Sequence, residues 1–303
     1  MERILLLGGS GLIGRRLAPE LVAAGFEVVV LSRDPARLAD LPPGVRAVGW
    51  DGRTAAGWQT EAEGARAIVN LAGDNVGEGR WSSAKKAAIR DSRLRSTAAV
   101  LAALAAAERR PEVLIQGSAV GFYGPRGDEE IPETTGPGDD FLAGVCRDWE
   151  AASAGAEALG VRRGVVRTGV VLDPDGGALA KMKIPFQLFA GGPLGNGRQY
   201  LPWIHHRDQT AALRFLLTHP DARGAFNLTA PEPVPQAEFA RQLGHAMGRP
   251  SLVPTPAFAL RLAVGEMAEV LLTGQRAMPK RLLELGFEFR YPRLEAALAE
   301  LMG

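Results

Sequence analysis

The chain has 303 residues, 46% hydrophobic and 23% charged, with 35 basic and 34 acidic side chains and a formal net charge of +1. That balance exerts no general pull on nucleic acid, and a single cysteine, Cys146, excludes an intrachain disulfide. The longest apolar run, residues 98–107, is too short for a bilayer, the start RILLLGGSG lacks a signal-peptide pattern, and the four histidines show no metal-ligand spacing, so a cytoplasmic protein without membrane, nucleic-acid or metal partner is expected.

The first half alternates short β-branched runs with longer helical stretches. Strands are predicted over residues 4–7, 27–31, 46–50, 67–72, 113–117 and 164–167, and helices over 12–24, 84–107 and 141–159. Such alternation predicts an α/β fold of the Rossmann type: a doubly wound parallel sheet, its strands apolar because they are buried on both faces. Beyond Arg167 the pattern loosens into a helix, a Gly/Pro loop (GGPLGNG), WIHHRD leading into a helix over 209–217, and a strand in AFNLTA. A Pro-rich stretch at 248–258 precedes helical segments at 260–272, 280–285 and 294–301. The expected division is a dinucleotide-binding domain over 1–228, with 171–200 contributing to the substrate side, and a small C-terminal domain over 229–303. Together these give a smaller, mostly helical substrate-side lobe. Pro19 is expected to kink the first helix.

GGSGLIG sets Gly8, Gly11 and Gly14 between the first strand and the first helix. The first glycine allows a tight turn, the second lets backbone approach a pyrophosphate, and the third lets helix and strand pack closely. The helix start at Leu12 and Ile13 adds amides and a partial positive charge facing the phosphates. The end of the second strand chooses the dinucleotide, because an acid there holds the ribose 2′-hydroxyl of NAD and an arginine accepts the 2′-phosphate of NADP. Here the strand ends in Ser32-Arg33-Asp34-Pro35. Asp34 is the competing NAD acid, but Asp-Pro is also a helix start, which leaves Ser32 and Arg33 to face the ribose and favours NADP(H).

GGSGLIG, LSR, NLAG (70–73), GSAVGFYG (117–124), RTGVVL (167–172) and WIHHRD (203–208) fall in this order. Together they resemble the extended short-chain dehydrogenase/reductase superfamily, within its NAD-dependent epimerase/dehydratase group. The match is with the branch labelled nucleoside-diphosphate-sugar epimerase-like, whose members carry GGPLGxGxQ, WIH and a small C-terminal domain of unknown function. The resemblance implies that Gly8, Gly11 and Gly14 bind the pyrophosphate and that Ser32 and Arg33 bind the NADP ribose. It sets Asp51 near the adenine, Leu71, Ala72 and Gly73 beside the cofactor, and Asp74 and Arg80 as further contacts. Ser118 would then stand next to the nicotinamide, and the Val170 backbone would meet its amide. Local readings stand beside these: Asp51 as a turn residue, Arg80 as a surface arginine, Asp208 as the N-cap of the following helix, His205 as a structural hydrogen-bonder, and GPLGNGRQ as a plain loop or a lid.

Conventional members use a Tyr-x-x-x-Lys pair on the helix after the fifth strand, the lysine charge lowering the tyrosine pKa. In FLAGVCRDWE the tyrosine position falls on Phe141 or Leu142 and the lysine position on Val145 or Cys146, so neither alignment restores the pair. Cys146 then reads as a buried apolar filler, with a thiolate nucleophile as the rival, and Ser118 and Tyr123 are left as proton-transfer candidates. The expected function is an NADP(H)-binding epimerase or reductase acting on a small molecule such as a nucleotide-linked sugar. The alternative is a non-catalytic module that senses NADP(H). Nothing in the pattern names the substrate or sets an oligomeric state.

Overall fold

Five apolar runs form the strands β1 (Arg3–Leu7), β2 (Glu27–Ser32), β3 (Val45–Gly49), β4 (Ala67–Asn70) and β5 (Val113–Ala119). The computed structural model describes residues 1–38 and 41–303, with Arg37 described for its backbone alone. The strands Arg162–Thr168 and Gly224–Leu228 complete one seven-stranded sheet, in the order Gly224–Leu228, Arg162–Thr168, β5, β4, β1, β2, β3. Every neighbouring pair in it is parallel. The strand order reverses between β1 and β4, which opens a crevice at their carboxyl ends, where open α/β sheets bind ligands.

The sheet is buried on both faces, and β1 shows how. Ile4 and Leu6 pack with Leu17 and Leu21 of α1 (Leu12–Ala23) and with Leu213 and Leu216 of the helix His206–Thr218. Leu5 and Leu7, on the other face, pack with Trp58 and with Val100 and Leu104 of α2 (Ser83–Ala106). A third cluster joins Leu172, Leu179, Phe186 and Trp203 to Phe239, Leu243, Tyr291, Leu294 and Leu298, beside the carboxyl end of the sheet. The C-terminal residues are also tied to the sheet domain: Arg276–Ala277 pairs with Glu130–Ile131, and Leu282 and Phe287 enter the first cluster. Among the described residues no helix is long and apolar enough to cross a membrane.

Several elements depart from the sequence expectation. α1 runs through Pro19 to Ala23, held by the core contacts of Leu17, Ala18 and Leu21. β4 ends at Asn70 rather than residue 72, because Asn70 Oδ1 accepts the Ala72 N–H at 3.3 Å and turns the chain. The helix expected over 141–159 divides into α3 (Phe141–Ala152) and the short Gly155–Ala158, the Ser153 hydroxyl closing the first on the Glu150 carbonyl at 2.7 Å. The helix expected over 260–272 is Ala257–Val264 and Ala268–Leu272, parted at Gly265, whose φ of 65° favours glycine. Asp208 does not cap its helix, which begins at His206 with the His205 ring as cap acceptor for the Arg207 N–H at 3.1 Å. Starting three residues earlier leaves Asp208 buried in the first turn, where its carboxylate accepts the N–H groups of Arg290 and Tyr291 at 2.9 Å each.

Candidate functional site

The glycine loop leaves β1 at the crevice. Gly8 has φ 82°, and a Cβ there would stand 2.8 Å from the Leu71 carbonyl carbon, so β1 and the turn after β4 approach to backbone distance. A Cβ on Gly14 would stand 2.4 Å from Gly9 Cα, so α1 closes onto the loop only because that position is bare. The Gly11 N–H closes the turn on the Gly8 carbonyl at 3.0 Å, and Gly11 caps α1 with no side chain over the first-turn amides. Backbone that close and amides without a cap form a cradle for a pyrophosphate, so the loop fits the dinucleotide that its sequence implies.

At the end of β2 the Ser32 hydroxyl accepts the Asp34 N–H at 3.2 Å, and a short 3-10 turn, Pro35–Leu38, follows Asp34 directly. Arg33 is exposed, its methylenes lying against Gly52, and it makes no hydrogen bond or ion pair among the described residues. Asp51, in the adjacent turn, accepts from the Arg53 and Thr54 amides at 2.7 and 2.8 Å and from the Thr54 hydroxyl at 2.8 Å. Those bonds, the Thr54 amide foremost, hold its carboxyl below the usual range and commit it to the turn.

A cavity of about 580 Å³ opens at the carboxyl ends of β4, β5 and Arg162–Thr168. Ile13, Leu71, Ser118 and Val170 line it, so the structure brings these four predicted residues together. The opposite side is lined by Tyr200, Leu201 and Pro202 and by Glu266, Glu269, Val270 and Thr273 of the C-terminal lobe. α3 contributes Phe141, Leu142, Val145, Cys146 and Trp149, a face with neither hydroxyl nor ammonium. Burial pushes the Cys146 thiol up to about 11, in spite of Arg93 nearby, which keeps it a thiol at neutral pH.

Other predicted contact residues have partners within the fold. Leu12 packs toward Gly176 and Gly177, and Gly73 is exposed over the Arg93 guanidinium. The Asp74 carboxylate pairs with Lys85 at 2.6 Å. Arg80 donates to the Leu262 carbonyl of the C-terminal lobe. Val170 lines the cavity, and its N–H is taken by the Pro202 carbonyl at 2.7 Å. Tyr123 lies outside the cavity and is fully buried; its hydroxyl donates to Asn227 Oδ1 at 2.7 Å and accepts from Arg167 at 2.9 Å. Burial raises its pKa, so the hydroxyl is protonated and committed to Asn227 and Arg167 outside the cavity.

Ser118 is backed by a polar network that sequence reading missed. Its hydroxyl donates to Glu150 Oε1 at 2.6 Å, and Glu150 is gripped by Arg167 through two bonds of 2.9 Å. Arg167 also donates to the Glu133 carbonyl at 3.0 Å and stacks on Phe122 at 3.6 Å. His205, His206 and Glu300, despite their sequence spacing, bring ligand atoms within 4.8 Å of one another. Because His205 Nδ1 accepts an amide proton, its Nε2 carries the ring proton and donates to Glu300 at 2.9 Å, which leaves no lone pair there for a metal.

Residues 4–229 match the family described as NAD dependent epimerase/dehydratase, and residues 255–301 match a domain of unknown function, DUF1731. The chain is 41% identical over 301 residues to the chloroplastic epimerase family protein SDR39U1 homolog of Arabidopsis thaliana, covering 99% of this chain and 86% of that protein. The crystal structure of human epimerase family protein SDR39U1 with NADPH superposes with a TM-score of 0.89 at 36% identity, covering 99% of each chain. A nucleoside-diphosphate sugar epimerase from Corynebacterium glutamicum superposes at 0.78 with 33% identity, over all of this chain and 58% of that one.

Proposed function

Because the chain belongs to the NAD dependent epimerase/dehydratase family, we propose that it is an NADP(H)-dependent epimerase or oxidoreductase acting on a small molecule, a nucleotide-linked sugar being one such substrate. The observation that carries the choice of NADP(H) is Arg33: an exposed guanidinium with no partner among the described residues, just beyond β2 and beside the Asp51 turn. The NADPH in the human relative's structure supports the same choice. The amides after Gly11 would hold the pyrophosphate, and Arg33 with Ser32 the 2′-phosphate. When bound, the nicotinamide supplies hydride exchange with a substrate carbon. At the cavity wall, Ser118 Oγ can take a proton from a substrate hydroxyl as its own proton passes to Glu150 Oε1, 2.6 Å away.

Thermal melts with each cofactor test this. Ligand at a hundred times its Kd stabilises by about 2.7 kcal/mol, and the Arg33 contact is worth about 1.5–3 kcal/mol, roughly ten- to a hundred-fold in affinity. NADPH is expected to raise the melting temperature well above the effect of NADH, and Arg33→Ala to erase the difference. Equal shifts for both cofactors in the wild type would reject the assignment.

The cavity face of α3, without hydroxyl or ammonium, favours a second reading: a module that binds NADP(H) and does no chemistry. Steady NADPH oxidation on any carbonyl substrate decides for the enzyme. Cys146→Ala is expected to leave cofactor shifts and any turnover unchanged, at a cost of about 1 kcal/mol from the small cavity it opens. Loss of turnover in a folded, NADPH-binding Cys146→Ala protein would instead identify a catalytic thiol.

A further inference from the structure

Arg93, on α2, reaches the cavity wall with its guanidinium under Gly73 and 4.9 Å from the Trp149 ring. One of its nitrogens, Nη1, donates to the carbonyls of Asp74 and Ile89 at 3.0 and 2.9 Å. Nε and Nη2 have no acceptor, and Arg93 forms no ion pair, among the described residues. The other charged groups of the cavity are engaged: Glu266 with Lys86, Glu269 with Arg261, and Asp140 with the Ala143 N–H at the start of α3. Trp149, which is 5% exposed and also lines the cavity, leaves its buried indole N–H without a partner.

Arginine and tryptophan side chains only donate, and a buried donor or cation left without an acceptor carries a desolvation penalty that a ligand can remove. Two such donors stacked together, in a wall that also carries the apolar side chains of Leu71, Phe141, Leu142 and Val145, define one kind of complement. We propose that Arg93 and Trp149 form a receptor for an oxyanion, a carboxylate or phosphate group joined to an apolar or flat body. Burial draws the Arg93 guanidinium below its ordinary value, the direction expected of a cation short of countercharge. The oxyanion has two sources, a group on the substrate or the diphosphate of the cofactor. The inference rests on the reading of the chain as a cofactor-dependent enzyme, and it deepens that reading by giving the site a ligand charge and shape.

The test titrates NADPH-saturated protein by calorimetry with benzoate and phenyl phosphate, and with the neutral benzamide and benzyl alcohol. A substrate oxyanion site is expected to prefer the anionic probes at least tenfold. Arg93→Gln and Trp149→Phe should each reduce that preference to within twofold, and Arg93→Lys should restore part of it. If the probes show no preference but Arg93→Gln weakens NADPH at least tenfold, the receptor holds the cofactor diphosphate, and the oxyanion assignment stands with that source. No preference among the probes, with NADPH affinity unchanged in both folded variants, overturns it. Absence of any NADPH shift in the wild type would count against the cofactor reading alone, and the probe titrations would then be read on the protein without NADPH.

Discussion

Arg167→Met is expected to destabilise the protein by about 3–5 kcal/mol, the cost of leaving the partner of a buried ion pair unpaired. The Arg167 and Glu150 side chains are 6% and 12% exposed, and Arg167 holds both carboxylate oxygens. Burial works against the Arg167 charge, yet the Glu150 hydrogen bonds carry its pKa above the ordinary value, so the guanidinium is charged in the fold. Methionine fills most of the space and keeps the packing on Phe122, but it strands the carboxylate with the Ser118 hydroxyl as its remaining side-chain donor. Glu150→Gln combined with Arg167→Met removes both charges and is expected to recover at least half of the loss. Urea unfolding of the two single variants and the double variant measures this. A double variant as unstable as the sum of its singles would mean that the pair does not act together. The effect extends beyond stability, because Arg167 also touches Tyr123, which holds Asn227, and Asn227 donates to the Met278 carbonyl of the C-terminal lobe at 3.0 Å. Ser118 and the lobe opposite it are thus registered by one network.

What could be read in the sequence, and what could not, divides along chain distance. The glycine loop was legible because its demands fall on neighbouring residues: Gly8 and Gly14 meet backbone that no side chain can clear, and only glycine leaves that trace. Strands such as β1 and β2 were legible because burial on both faces makes them near-continuous apolar runs. The pairing of Arg93 with Trp149 was not, since the two lie on separate helices and no local pattern brings them together. Glu150 was missed for the same reason: a glutamate one turn after Cys146 looks solvated until Arg167, 17 residues on, is folded against it. Asp208 was misread because its amide partners lie 82 and 83 residues away, and a carboxylate at a helix start has a ready local explanation. Arg80 and Asp74 stand in a motif that gave no sign of their partners in the fold, Leu262 and Lys85. Motifs that constrain backbone could be followed into the structure, whereas side-chain partners far along the chain could not be read from local pattern.

Stability should fall by about 2 kcal/mol between about pH 7.5 and about pH 5 on account of His205 alone. Its ring is fully buried, stacked between His206 at 4.6 Å and Tyr291 at 3.9 Å, with Nδ1 on the Arg207 amide and Nε2 on Glu300. Burial lowers its pKa to about 4; the Glu300 hydrogen bond opposes that, and His206 adds to it. In the unfolded chain the ring titrates near the ordinary value of about 6.5. Between those two values the unfolded state binds a proton that the folded state refuses, so falling pH favours unfolding through that window. Glu300, held low against its own burial by His205 and by Arg207 at 2.7 Å, acts in the same direction at lower pH. His206 is also lowered, burial again the main cause, and adds to the slope. Asp208 and Glu133 are raised by burial and act in the opposite sense, because the folded state takes their protons first. The wild-type slope alone therefore mixes several groups, and the measurement that isolates His205 is a difference. In His205→Asn the amide oxygen can still accept the Arg207 N–H, while the titrating ring is gone. Urea unfolding at about pH 7.5, 6 and 5 should show a slope in the wild type that is shallower in the variant by about 2 kcal/mol over the range. Equal slopes would mean that His205 binds its proton as readily in the folded chain as in the unfolded one, and that the contact with Glu300 in the C-terminal helix is a charged pair rather than a neutral hydrogen bond.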